Sequence, residues 1–154
     1  MRRDVPGGES ERTVLMMSRE LSDVAFDDLQ VGRRFGPYDV EVGEALAEQL
    51  AGEIGARTPV GSVPPAVYPI TFLVALRHAM GGIPRGSILA KQELEFHEAA
   101  PVGSVLKVET WVGETYVRRG RPYAVIEFDV RGGGGEPVVT GRKVIVWPNG
   151  PREE

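Results

Sequence analysis

The sequence contains no cysteine among its 154 residues. This absence excludes disulfide bonds, zinc sites built on thiolates and a cysteine nucleophile. Histidine is scarce too: the two in the chain do not combine with paired carboxylates at the spacing of metal ligands. We therefore expect neither a metal ion nor a cofactor.

Long apolar runs and basic stripes are also missing. No stretch approaches the roughly 20 apolar residues that cross a bilayer, and the formal net charge is −4 with no basic stripe for a nucleic acid. Acidic residues interrupt the segment after Met1-Arg2-Arg3, so it has no apolar signal-peptide core. We expect a cytoplasmic protein that binds neither membranes nor nucleic acids.

The length fits one domain with a substantial apolar core. Residues 1–22 are polar and contain Pro6, Gly7 and Gly8, which predicts a loosely ordered extension. We place the folded domain at residues 23–148 and a short tail at 149–154.

Two helices are predicted in the first half of the chain. Leu46, Leu50 and Ile54 form one apolar stripe over residues 44–54. A second helix over residues 69–80 is apolar nearly all round, which predicts burial. Its Pro69 is acceptable only in the first turn.

The second half of the chain predicts strands. Apolar residues alternate with polar ones over 106–112 and 124–130, and a last strand covers about 138–147. Ile88, Leu94 and Phe96 share a parity and indicate one further strand. Together with a strand near 34–41, they predict an α+β fold in which a curved antiparallel sheet wraps round the helix at 69–80. Its open edges favour a two-fold dimer.

Three segments carry a resemblance to a known family. Residues 26–32 read FDDLQVG and look like the opening "F-x-D-L-x-V-G" of MaoC-like proteins. Residues 63–69, VPPAVYP, look like the "A-P-P-T-F-P" before the central helix of dehydratase half-domains, and 92–103 look like "Q-E-F-E-Y-H-x-P-V-x-x-G". The chain thus resembles the MaoC-like (R)-specific enoyl hydratase/dehydratase family over about residues 26–148. The resemblance implies one hot-dog domain.

The resemblance also implies where the chemistry would lie. In the family, an Asp and a His in a "G-D-x-N-P-x-H" segment hold and deprotonate the water that adds to an enoyl thioester. Backbone N–H groups at the start of the central helix polarise the thioester carbonyl. The matching residues 55–61 read GARTPVG, so Ala56 stands for the Asp, Thr58 for the Asn and Gly61 for the His.

Other residues are candidates for what remains of the site. Glu53 and His78 are fallback acids or bases, although His78 is more simply a core histidine or one at a dimer seam. Thr58, Tyr68, Thr71 and Phe72 are candidate substrate-binding residues, while packing and helix capping explain Tyr68 and Thr71 equally well.

Three functions follow. The first is a non-catalytic subunit of an (R)-hydratase or 3-hydroxyacyl dehydratase of fatty acid or polyketide metabolism. It would bind acyl or enoyl thioesters of coenzyme A or acyl-carrier protein, as a homodimer or with a catalytic hot-dog subunit. The second is an active hydratase (a lyase) or acyl-CoA thioesterase that uses unorthodox residues such as Glu53. The third is a homodimeric binding module without an acyl ligand.

Overall fold

A computed structural model describes residues 24–43, 61–63 and 65–148. The predicted extension at 1–22, the predicted helix at 44–54 and the tail at 149–154 lie outside the described residues.

The described residues form five strands and one α-helix, preceded by short 3-10 turns at Phe26–Asp28 and Pro65–Val67. In chain order they are β1 (Arg34–Glu41), α1 (Tyr68–Met80), β2 (Ile88–Phe96), β3 (Val105–Arg118), β4 (Arg121–Arg131) and β5 (Pro137–Val146). The sheet order is β1-β3-β4-β5-β2, and every neighbouring pair is antiparallel. The predicted α+β architecture is confirmed.

The inner face of the sheet follows the predicted alternation. On β3 the buried residues are Leu106, Val108, Thr110 and Val112, and on β4 they include Ala124, Ile126, Phe128 and Val130. The residues between them on β3 are half-buried and polar or amphipathic. Period-two patterning therefore identified which face meets the helix.

One face of α1 packs against this inner face. Pro69 lies in the first turn, and Gly81 ends the helix with a left-handed φ of 79° while its N–H donates to the Arg77 carbonyl. Phe72, Ala75 and Leu76 are fully buried. The other face of α1 is only half-buried, because the sheet covers one side of the helix. The prediction that this helix is buried on all sides was therefore wrong for the single chain. No helix among the described residues is long and apolar enough to cross a membrane.

The strand β2 differs from its sequence pattern in one respect. The register of β2 against β5 shifts between Leu89 and Lys91, so Ile88 pairs with Val146 whereas Leu94 pairs with Gly141. Paired residues in an antiparallel ladder point to the same face, and positions 141 and 146 face opposite sides. The shared parity of Ile88 and Leu94 therefore does not give a shared face, because the bulge reverses the alternation.

Candidate functional site

The start of α1 and the segment containing Gly61 meet at Ala100. The Ala100 N–H donates to the Tyr68 hydroxyl oxygen at 3.3 Å, and the Val63 N–H donates to the Ala100 carbonyl at 2.7 Å. The Val102 N–H donates to the Gly61 carbonyl at 2.7 Å. The segment 61–63 and the Tyr68 side chain of α1 thus contact the same stretch, residues 100–102.

Tyr68 is buried at this junction, and its ring centroid lies 6.1 Å from that of Phe96. Burial raises the pKa of Tyr68 above its ordinary value, although the hydrogen bond from Ala100 opposes the shift. The hydroxyl therefore keeps its proton at neutral pH. Its oxygen accepts from Ala100, which leaves the O–H able to donate to a neighbouring oxygen.

Thr71 and Phe72 make internal contacts. The Thr71 hydroxyl donates to the Tyr68 carbonyl at 2.7 Å, which satisfies it within the helix. Phe72 is fully buried, with its ring centroid 4.7 Å from that of Phe128. Ligand contacts of these two residues stay predictions.

Gly61 has a φ of +84°, a conformation that side-chain-bearing residues rarely adopt. An added Cβ would meet no atom within 4 Å, so the backbone conformation, not crowding, favours glycine. Glycine is thus suited to the local backbone at position 61, and its correspondence to the family's histidine stays a prediction. Glu53, Ala56 and Thr58 lie outside the described residues.

His78 is not a core histidine, because it is exposed in the last turn of α1. Its ring stacks on Tyr38 of β1, with 5.3 Å between centroids. It follows Tyr68 by ten residues, which is about 15 Å along a helix. A role as a substitute base at the helix start is therefore unsupported by its position within the single chain.

Lys143 is a candidate site residue that was not predicted from the sequence. It lies on β5 with a relative exposure of 6%, and its Nζ is 4.6 Å from the centre of the Phe72 ring. Burial lowers the pKa of Lys143 to about 8. The signal was present, because Lys143 and Ile145 have the same parity and a lysine on an inner face is unusual.

Across the ranges 24–43, 61–63 and 65–148, no group of three His, Cys, Asp or Glu side chains could hold a metal ion. The helix start offers instead backbone N–H groups and one phenol that donates, and a buried ammonium lies against Phe72 one turn further along α1. Such groups can bind a carbonyl or carboxylate oxygen.

Known structures with this architecture include a MaoC-like dehydratase from Rhodospirillum rubrum, with a TM-score of 0.65 and 23% identity over 83% of this chain and 99% of that one. The (R)-hydratase PhaJ1 from Pseudomonas aeruginosa has a TM-score of 0.63 and 23% identity over 84% and 89% of the two chains. The chain has a hot-dog fold. This confirms the predicted fold class and the structural resemblance to MaoC-like proteins.

A C-terminally truncated HadBC complex, a (3R)-hydroxyacyl-ACP dehydratase from Mycobacterium tuberculosis, is also similar to this hot-dog chain. Its TM-score is 0.63, with 16% identity over 80% of this chain and 98% of that one. No protein-family model matches the sequence, and no curated protein matches it. Because the identities are low, these likenesses concern the fold.

Proposed function

We propose that this hot-dog protein binds acyl or enoyl thioesters as a non-catalytic subunit of an (R)-hydratase or 3-hydroxyacyl dehydratase. The observation that carries the proposal is Gly61, which binds Val102 two residues from the Ala100 contact of Tyr68 but has no group that can transfer a proton. Water addition needs a base within hydrogen-bond reach of the water. The aligned Ala56 offers none either.

The groups that bind a thioester are retained at the helix start. Val67, the N-cap residue of α1, has an apolar side chain and cannot cap the first turn. The N–H groups of that turn are thus free of a side-chain acceptor from the N-cap, and the helix dipole favours negative charge there. A thioester carbonyl oxygen is the acceptor we assign to them, with the Tyr68 hydroxyl as a further donor.

The edge strand β2 is the surface we assign to a partner, which is either a second copy or a catalytic hot-dog subunit. Ile88, Leu89 and Phe96 expose 57%, 52% and 52% of their surfaces along this edge. The opposite edge, β1, contains Pro37, which has no N–H to donate to another strand. An apolar edge with free backbone groups favours pairing with another strand.

Leu89→Glu tests this edge by placing a charge at the proposed interface. We expect light scattering after size exclusion to show a larger monomer fraction than for the unchanged protein. Val117→Glu is the control, because Val117 is 66% exposed on β3, which is not an edge strand of the sheet. Equal masses for all three folded proteins would exclude β2 as the partner surface.

The deciding experiment is crotonyl-CoA hydration, followed as loss of enoyl absorbance, together with calorimetric titration of butyryl-CoA. We expect binding without turnover, and turnover once a catalytic hot-dog subunit is added. Turnover by the purified chain alone would overturn the non-catalytic assignment, and Glu53→Gln and His78→Asn would then identify its base. Absence of both binding and turnover would favour a module without an acyl ligand.

A further inference from the structure

Lys143 is a buried cation that the proposed function does not use. It retains only 6% of its accessible surface, and Ile145, its neighbour at the same parity, retains 1%. Its strand partners are Ile126 on β4 and Gln92 on β2. The side chain therefore enters the inner face of the sheet, where Phe72 of α1 covers it.

The charge of Lys143 is not balanced within the described part of the chain. Arg142, beside it, faces the outer side and meets Glu93 at 3.4 Å, whereas no carboxylate in residues 24–43, 61–63 and 65–148 forms an ion pair with Lys143. Its pKa is lowered by burial alone. The Phe72 ring stabilises an ammonium, but a ring quadrupole is a weaker partner than an anion.

An unpaired ammonium in an apolar interior costs free energy, which an incoming anion would recover. We propose that Lys143 binds a carboxylate at the far end of the acyl chain, so that the preferred ligands are thioesters of short dicarboxylic acids. This inference rests on the proposed binding of acyl thioesters. It adds the chemical class of the acyl group.

The spacing along α1 sets the length of that acyl group. Phe72, which contacts Lys143, is one turn beyond Tyr68 at the helix start, a rise of about 6 Å. Three bonds of extended chain span about 3.8 Å, and a hydrogen bond at each end adds about 2.9 Å. A four-carbon diacyl group with a hydrogen bond at each end thus reaches about 9.6 Å, which covers the rise of about 6 Å and leaves about 3.6 Å for the sideways offset of the ammonium. We therefore assign acyl groups of about four to six carbons.

The test compares matched thioesters that differ by a terminal carboxylate. Calorimetry at constant ionic strength would measure succinyl-CoA against butyryl-CoA, and glutaryl-CoA against valeryl-CoA. We expect about a tenfold or greater preference for the dicarboxylic member of at least one pair, as a charged hydrogen bond would give. In Lys143→Met the preference should fall to about one.

Lys107→Met is the matched control, because Lys107 pairs with Asp39 on the outer face of the sheet and should leave the preference unchanged. Carbon NMR of the lysine ε-methylene provides a second readout. Saturating dicarboxylic thioester should raise the pKa of Lys143, whereas its monocarboxylic analogue should not.

The outcomes separate the two proposals. Binding of butyryl-CoA and valeryl-CoA with no preference for either dicarboxylic thioester would overturn the role of Lys143 and leave thioester binding intact. A preference that persists in a folded Lys143→Met protein would also overturn it. Failure of all four thioesters to bind would refute the proposed function, and the assignment of Lys143 with it.

Discussion

The ammonium of Lys143 lies 4.6 Å from the centre of the Phe72 ring, inside the layer between the sheet and α1. This pair joins β5 to α1. Lysine is almost never fully buried without a partner, and the ring stabilises the ammonium charge less than water does. Protonation of Lys143 should therefore make the stability of the core depend on pH.

Lys143→Met should stabilise the protein at pH 7, because a flexible apolar chain replaces a buried charge. Burial lowers the pKa of Lys143 from 10.5 to about 8, so the cost of burying the charge is fully present below pH 8. Between pH 8 and 10.5 the unfolded chain binds more protons, and the stability contributed by this residue rises with pH. We expect the free energy of unfolding of Lys143→Met to exceed that of the unchanged protein by on the order of 2 kcal/mol at pH 7, and the difference to disappear near pH 10.5.

Urea unfolding of the unchanged protein and Lys143→Met at pH 7, 9 and 10.5 measures this difference. Lys107→Met controls for general effects of losing a lysine, since that side chain is exposed and paired with Asp39. A difference between the first two proteins that does not vary with pH would show that Lys143 titrates normally.

Tyr68→Phe removes the acceptor of the buried Ala100 N–H while keeping the ring against Phe96. A buried donor left without an acceptor costs about 1–3 kcal/mol. We expect a loss of that size in thermal or urea unfolding. In Tyr116→Phe, on the half-buried pair with Tyr123, the change should be much smaller; equal losses would contradict the role of the Ala100 bond.

Gly141→Ala should destabilise the sheet. A Cβ at this position would overlap the Phe128 ring, and it would also come within 2.9 Å of the Leu94 side chain. Overpacking of this kind costs typically about 1–3 kcal/mol. Gly133→Ala is the control, since a Cβ there meets nothing within 4 Å, and comparable melting temperatures for the two variants would refute the close packing.

Gly61→Ala should cost about 1 kcal/mol, because φ is +84° there and a Cβ is strained in that region. Gly61→His should cost a similar amount and, with Ala56 unchanged, should not produce crotonyl-CoA hydration. Gly43→Ala serves as control, since its Cβ would also find open space but its φ is ordinary. A neutral or stabilising Gly61→Ala would show that the loop relaxes freely.

Much of the fold could be predicted from the sequence, for particular reasons. The alternation through Leu106 and Val108 predicted the inner face of β3, because strand geometry is periodic and burial follows it. The prediction that Ile88 shares a face with Leu94 was wrong, because a bulge inserts one residue and reverses the side-chain alternation beyond it. The interpretation of His78 as a core residue was wrong, because composition indicates that a helix is buried but not which side stays open; its place at a dimer seam stays a prediction.

The sequence by itself determined the order of the described strands and the antiparallel sheet against an apolar helix, and it predicts that Ala56 and Gly61 stand where the resemblance places the Asp and His. These depend on residue type and local spacing. Only the tertiary structure decided that Tyr68 and Val63 meet at Ala100 and that Lys143 lies against Phe72. Contacts between residues as far apart as 72 and 143 depend on register and on the helix crossing the sheet, which local patterns do not encode.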